Sequence, residues 1–120
     1  MSEITLQTIR ERKEKRRQLL KNELERISGQ LKAMGALRII VFGSYAEDRV
    51  RSNSDLDVIA IMPSTMRGKD WMGKVYSEID RNVDCDILCY TQEELENLIP
   101  VSRFVRRALD TGKVVYEKGS

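Results

Sequence analysis

Two short apolar runs bracket a polar, glycine-led loop, and this arrangement limits the fold more tightly than any other feature of the chain. Leu37-Arg38-Ile39-Ile40-Val41-Phe42 is β-branched and aromatic, ends at Gly43, and is too short for a typical helix, so it reads as a buried strand. Asp55 to Met62 reads as a second strand, stopped by Pro63. Successive side chains of a strand point to opposite faces, so Asp55 and Asp57 share one face, roughly 6 to 7 Å apart, and Leu56 points the other way. At an effective dielectric near 20 their mutual repulsion is roughly 2 to 3 kcal/mol, so a positive charge is expected between them. A hard divalent ion suits such a site, and Mg²⁺ in particular is held by one or two carboxylates together with substrate phosphates. Gly43 and Ser44 supply the phosphate side: the glycine allows close backbone approach, and the following amides and the serine hydroxyl can donate to phosphate oxygens.

Taken singly, an Asp-x-Asp pair is commonly a solvated strand edge and a Gly-Ser pair a simple turn. Strand, Gly-Ser, polar loop and strand-borne Asp-x-Asp in this order are more telling. Gly43-Ser44, the ten residues Tyr45 to Ser54, then Asp55-x-Asp57 resembles the nucleotidyltransferases of the DNA polymerase beta superfamily, and most of all the small minimal nucleotidyltransferase (MNT) domains. That family carries a third carboxylate on a later strand, matched here by Asp86-Ile87-Leu88-Cys89-Tyr90-Thr91-Gln92-Glu93-Glu94. In the run Val83 to Tyr90, alternation places Asp84, Asp86, Leu88 and Tyr90 on one face. Asp86 keeps the family's spacing to Tyr90-Thr91, and Asp84 is its substitute.

The resemblance implies a mechanism. Asp55, Asp57 and Asp86 would hold two Mg²⁺ ions, Asp86 would accept the acceptor's proton, Gly43 and Ser44 would bind the β- and γ-phosphates, and ATP would donate AMP. Relatives often have small or basic residues directly after Gly-Ser, whereas this chain has Tyr45, Ala46, Glu47 and Asp48. Arg49 and Arg51 either offset that acidity and meet a triphosphate or serve only as solvated loop residues.

Composition removes several rival chemistries. With no histidine in the chain, Ser-His and Cys-His mechanisms are excluded and carboxylates must carry acid-base work. Cys85 and Cys89, four apart on a strand, stand about 13 Å from one another, beyond disulfide reach; zinc lacks both histidine and a second cysteine pair. The 21 Lys and Arg nearly balance the 19 Asp and Glu, so no global attraction to nucleic acid or a membrane follows. No apolar run has transmembrane or signal-peptide length, and a cytoplasmic location is expected.

Ser2 to Met34 reads as one long helix, with Leu20, Leu24, Ile27, Leu31 and Met34 on a single stripe and Gly35 ending it. Its first half carries Arg10, Arg12, Lys13, Lys15, Arg16 and Arg17, which reads either as a solvated face or as a surface for an acidic partner. Without interleaved aromatics, direct nucleic-acid binding is disfavoured. Lys69 to Asp80 has Trp71, Met72, Val75, Tyr76 and Ile79 at helical spacing, a core pattern in which Trp71 is the best aromatic if a base stacks anywhere. Thr91 to Glu94 forms a capping box for a helix ending near Ile99-Pro100. Ser102 caps another that carries Phe104, Val105, Ala108 and Leu109 inward and leaves Arg103, Arg106 and Arg107 outside, and Val114 to Tyr116 closes as a strand.

The expectation is an α+β, nucleotidyltransferase-like domain: a mixed, twisted sheet of about four strands with helices mainly on one face, behind a long amino-terminal helix. Residues 1–35 form the helical extension, 36–117 the minimal nucleotidyltransferase domain and 118–120 a tail. Larger members of the superfamily add acceptor-binding domains that a chain of 120 residues does not accommodate. MNT domains of this kind resemble antitoxins of HEPN/MNT pairs, thought to adenylylate a tyrosine of the helical HEPN toxin. The resemblance therefore implies a HEPN-like partner as acceptor. Two alternatives stand beside it: an antitoxin that neutralises its partner by contact alone, and an enzyme acting on a small molecule. Nucleobase preference and homo- or hetero-oligomeric state are open.

Overall fold

The computed structural model describes residues 5–80 and 83–119. The opening helix α1 spans Leu6–Ala33, capped by the Thr5 hydroxyl, which accepts from the Thr8 amide. The expected start at Ser2 lies outside the described residues. Gly35, with φ +105, turns the chain as expected, and the Ala36 amide reaches back to the Leu31 carbonyl at 3.0 Å. Strand β1 (Arg38–Phe42) runs directly into the four-residue helix α2 (Gly43–Ala46). A loop then leads to β2 (Leu56–Ile61), helix α3 (Gly68–Glu78), β3 (Cys85–Tyr90), helices α4 (Gln92–Leu98) and α5 (Arg103–Thr111), and β4 (Lys113–Glu117).

The strands form a mixed four-stranded sheet in the order β3-β2-β1-β4. β1 pairs antiparallel with β2 and β4, and β2 pairs parallel with β3. The α+β expectation is met. α1 and α3 cover one face, where Leu20, Leu24, Ile27, Leu31, Trp71 and Val75 pack on Ile39, Val41, Leu56, Val58, Ala60 and Ile87. The second half of α1 is thus part of the domain's main core. On the other face α4 and α5 place Leu95, Val105 and Ala108 against Ile40, Phe42, Ile59 and Ile61.

The expected capping box exists: the Thr91 hydroxyl accepts from the Glu94 amide while the Glu94 carboxylate accepts from the Thr91 amide. Glu94 also accepts from the Gly68 amide at 3.1 Å, tying α3 to α4. Of two aromatic expectations, one holds and one needs correction. Trp71 is only 5% exposed and its indole N–H donates to the Pro63 carbonyl at 2.8 Å, so it is a core residue and offers no platform for a base. Phe104, expected inward, is 51% exposed, because the small patch of sheet beneath α5 is already filled by Val105 and Ala108; its ring meets Phe42 edge-on at 5.5 Å between centroids.

Candidate active site

The site is built where β2 and β3 run side by side beyond the cover of α4 and α5. Parallel pairing aligns Asp57 with Asp86, and antiparallel pairing aligns Asp57 with Phe42, the last residue before Gly43. Asp57 follows the parity of Ile59 and Ile61, and Asp86 that of Leu88 and Tyr90, so both carboxylates stand on the α4/α5 face. Asp55 lies just ahead of β2, two residues before Asp57, with its side chain 52% exposed. The structure therefore brings Asp55, Asp57 and Asp86 together at one end of the sheet, close enough for both neighbours to act on the Asp57 charge.

The charges of Asp57 and Asp86 are uncompensated. The Asp57 carboxyl is pushed above its ordinary range, first by burial, then by the Asp86 charge and then by Asp55. Among the described residues neither Asp57 nor Asp86 has a hydrogen-bond or ion-pair partner. Asp84, also exposed, lies one residue ahead of β3 and does not figure among the charges that act on Asp57. Of the two aspartates, it is Asp86 that stands beside Asp57.

Gly43 is pressed against this cluster. Its φ is +77, a conformation that L side chains rarely adopt, and a Cβ at this position would run into the Asp57 carboxylate. The glycine thus serves the aspartate directly as well as the turn into α2. Ser44 follows in the first turn of α2, partly exposed, and the Arg49 amide bonds its carbonyl at 2.8 Å, which closes the chain around α2.

The two loop arginines part company. Arg49 reaches Glu47 at 3.1 Å, and Arg107 of α5 reaches the same carboxylate at 3.3 Å, so Glu47 holds two guanidinium groups beside Phe42 and Gly43. Arg51 is not brought to the carboxylates; it lines a groove with Ile9, Arg12, Lys13, Ser52 and Asn53. Sequence reasoning left Arg107 on the outer side of its helix. The acidic Glu47, three residues beyond Ser44, is the signal that a cation from elsewhere is needed there.

A cleft of about 700 Å³ opens beside the cluster, lined by Asp55, Asp84, Asp86, Val83, Cys85 and, from α1, Arg16 and Leu19. The donor set is all oxygen and the charge around Asp57 lacks a counter-ion, which fits a hard divalent cation. Among the described residues no three or more His, Cys, Asp or Glu side chains close into a ready-made cage. Magnesium does not need one: it keeps several waters and takes its remaining ligands from substrate phosphates. The carboxylates also repel one another, and Asp55 leans toward Arg16 at 4.0 Å.

Among the described residues no helix is long and apolar enough to cross a membrane. Neither a curated protein nor a solved structure matches the chain. A family model does: that of the polymerase beta nucleotidyltransferase domain, over residues 25–120. The match contains Gly43-Ser44, Asp55-x-Asp57 and Asp86, the residues gathered around the uncovered end of β2 and β3, and the chain belongs to the polymerase beta nucleotidyltransferase family.

Proposed function

We propose that this protein transfers AMP from ATP to an acceptor hydroxyl, and that the acceptor is a tyrosine on a helical, HEPN-type toxin for which it acts as antitoxin. The observation that carries the transfer is the alignment of Asp57 with Asp86 on neighbouring strands, next to a glycine that touches Asp57. In this reading Asp55, Asp57 and Asp86 hold magnesium, with two ions expected. Magnesium held there would supply Lewis-acid activation of the attacking oxygen and charge neutralisation for the departing pyrophosphate.

The protein's own groups do the rest. Gly43 and Ser44 receive the β- and γ-phosphates at the turn into α2, and Arg49 and Arg107, gathered by Glu47, stand beside that turn as counter-charges. The acceptor oxygen attacks the α-phosphorus in line, its bond to the bridging oxygen of the β-phosphate breaks, and pyrophosphate leaves. Asp86, the more exposed of the aligned pair, takes the acceptor's proton. A macromolecular acceptor is supported by the openness of the cleft, where Asp55, Asp84 and Asp86 are all exposed. Leu6, Ile9 and Leu19 are also exposed along the basic half of α1, a surface suited to a partner protein.

The test is incubation of the chain with α-labelled ATP, Mg²⁺ and a helical toxin partner encoded beside it. Label is expected on a partner tyrosine, and Asp57→Asn is expected to reduce transfer on the order of 10³-fold, the several kcal/mol a metal-binding carboxylate contributes. Partner neutralisation that survives Asp57→Asn would establish instead an antitoxin acting by contact.

A further inference from the structure

The amino-terminal half of α1 lies upstream of the residues that the family model describes, yet it reaches the site. Counting back along the apolar stripe Ile27, Leu24 and Leu20, the next position on the same helix face is Arg16. Leu20 is fully buried, so the backbone one turn from Arg16 is pinned to the domain. The side chain of Arg16 is largely covered, at 21% exposed. Its Nε–H donates to the Ser54 carbonyl at 2.7 Å, and a terminal nitrogen stands 4.0 Å from Asp55 Oδ1.

Ser54 belongs to a turn that is closed on itself. Its amide donates to the Arg51 carbonyl at 3.1 Å, and its hydroxyl accepts from the Arg51 amide at 2.7 Å. The contact missing from that turn is one that fixes the Ser54–Asp55 peptide, and Arg16 provides it. We propose that Arg16 is a positioning residue: by holding the Ser54 carbonyl it sets the peptide plane from which Asp55 projects, and so keeps that carboxylate close to Asp57 and Asp86. This rests on the reading of the site given above. The short charge-assisted bond to the carbonyl outweighs the 4.0 Å approach to the carboxylate, which is at the outer limit of an ion pair. Arg17, the next residue, serves as a comparator, since it meets Asp48 at 2.6 Å at the other end of the loop and leaves Ser54 untouched.

The two roles open to a cation in this cleft predict opposite signs. A guanidinium that merely competes for Asp55 would lower cation affinity, and its removal would raise it. One that orients Asp55 supports cation binding, and groups of that kind typically contribute tenfold or more to affinity.

The experiment is titration of the full chain with Mn²⁺, without nucleotide, followed by electron paramagnetic resonance, with thermal unfolding run on each variant. Arg16→Met is expected to weaken Mn²⁺ binding on the order of tenfold, while Arg17→Met stays within about twofold of wild type and all melts coincide. Should Arg16→Met fail to fold, Arg16→Lys, which keeps the charge and loses the planar fork, carries the same expected loss. Unchanged or tighter binding in the Arg16 variant, or equal losses in the Arg16 and Arg17 variants, would overturn the proposal. Asp57→Asn guards the underlying reading: if wild type binds no Mn²⁺ either alone or with a non-hydrolysable ATP analogue present, or Asp57→Asn binds it as wild type does, the site assignment itself falls and Arg16 with it.

Discussion

One face of strand β2 changes character within three residues. Ile59 and Ile61 are essentially inaccessible beneath α4 and α5, while Asp57, earlier on the same face, is half open and crowded by Asp86 and Asp55. The same backbone pairing continues through both stretches, with Asp57 opposite Asp86 and Ile59 opposite Leu88. Only the cover differs. A sheet that burial stabilises along one half can carry, on the other half, charges that oppose folding, and such local conflict marks functional sites.

The widest separation between the two ends is expected from Ile59→Ala. It removes a fully buried side chain from a packed layer and should cost about 3 kcal/mol of stability in a denaturant titration. Asp57→Asn should cost nothing and is expected to raise stability in cation-free buffer, because it deletes a charge that burial and two neighbours disfavour. Equal destabilisation by the two substitutions would erase the distinction between a packed end and a chemical end.

Gly43→Ala probes the boundary between those ends. The substitution imposes a side chain at φ +77 and drives its Cβ into the Asp57 carboxylate, so about 2 kcal/mol of strain is expected by thermal unfolding. Combined with Asp57→Gly, which removes the obstructing carboxylate, part of that loss should return. A purely additive double variant would mean that the turn alone needs the glycine.

Much of this was legible beforehand, and the rest was hidden for definite reasons. The strands around Gly43-Ser44 and Asp55-x-Asp57 follow from short β-branched runs that punctuation residues delimit, and the α1 stripe from its period, because both signals are local. The capping box of Thr91 and Glu94 is equally local and takes the expected form. The parallel pairing that sets Asp86 beside Asp57 is non-local: alternation gives the face of each carboxylate within its own strand and leaves the neighbouring strand unspecified. Phe104 followed the apolar period of α5, yet the sheet beneath that helix is too narrow to cover it. Arg107 reads as a solvated charge, and Arg16 and Arg17 as part of a solvated face or a partner surface, because a charge pattern on one helix says nothing of the carbonyl or carboxylate that another segment brings to it.

The smallest expected effect is a pH dependence confined to the acidic end. In the fold Asp57 titrates above its ordinary value of 3.8, raised by burial and then by Asp86 and Asp55, whereas in the unfolded chain it ionises near that value. Between the two pKa values the native state binds more protons than the unfolded state, so this group's contribution to stability falls as pH rises through the window and stays low above it. The direction is opposite to that of a salt-bridged carboxylate. Measured in chelator by denaturant titration from acid to neutral pH, the difference in stability between Asp57→Asn and wild type should therefore grow as pH rises, then level off. Added Mg²⁺ should shrink that difference at neutral pH, because a cation favours the ionised carboxylate. If the difference stays constant across the titration, Asp57 is an ordinary surface carboxylate, and the acidic end of β2 no longer differs in kind from any solvated strand terminus.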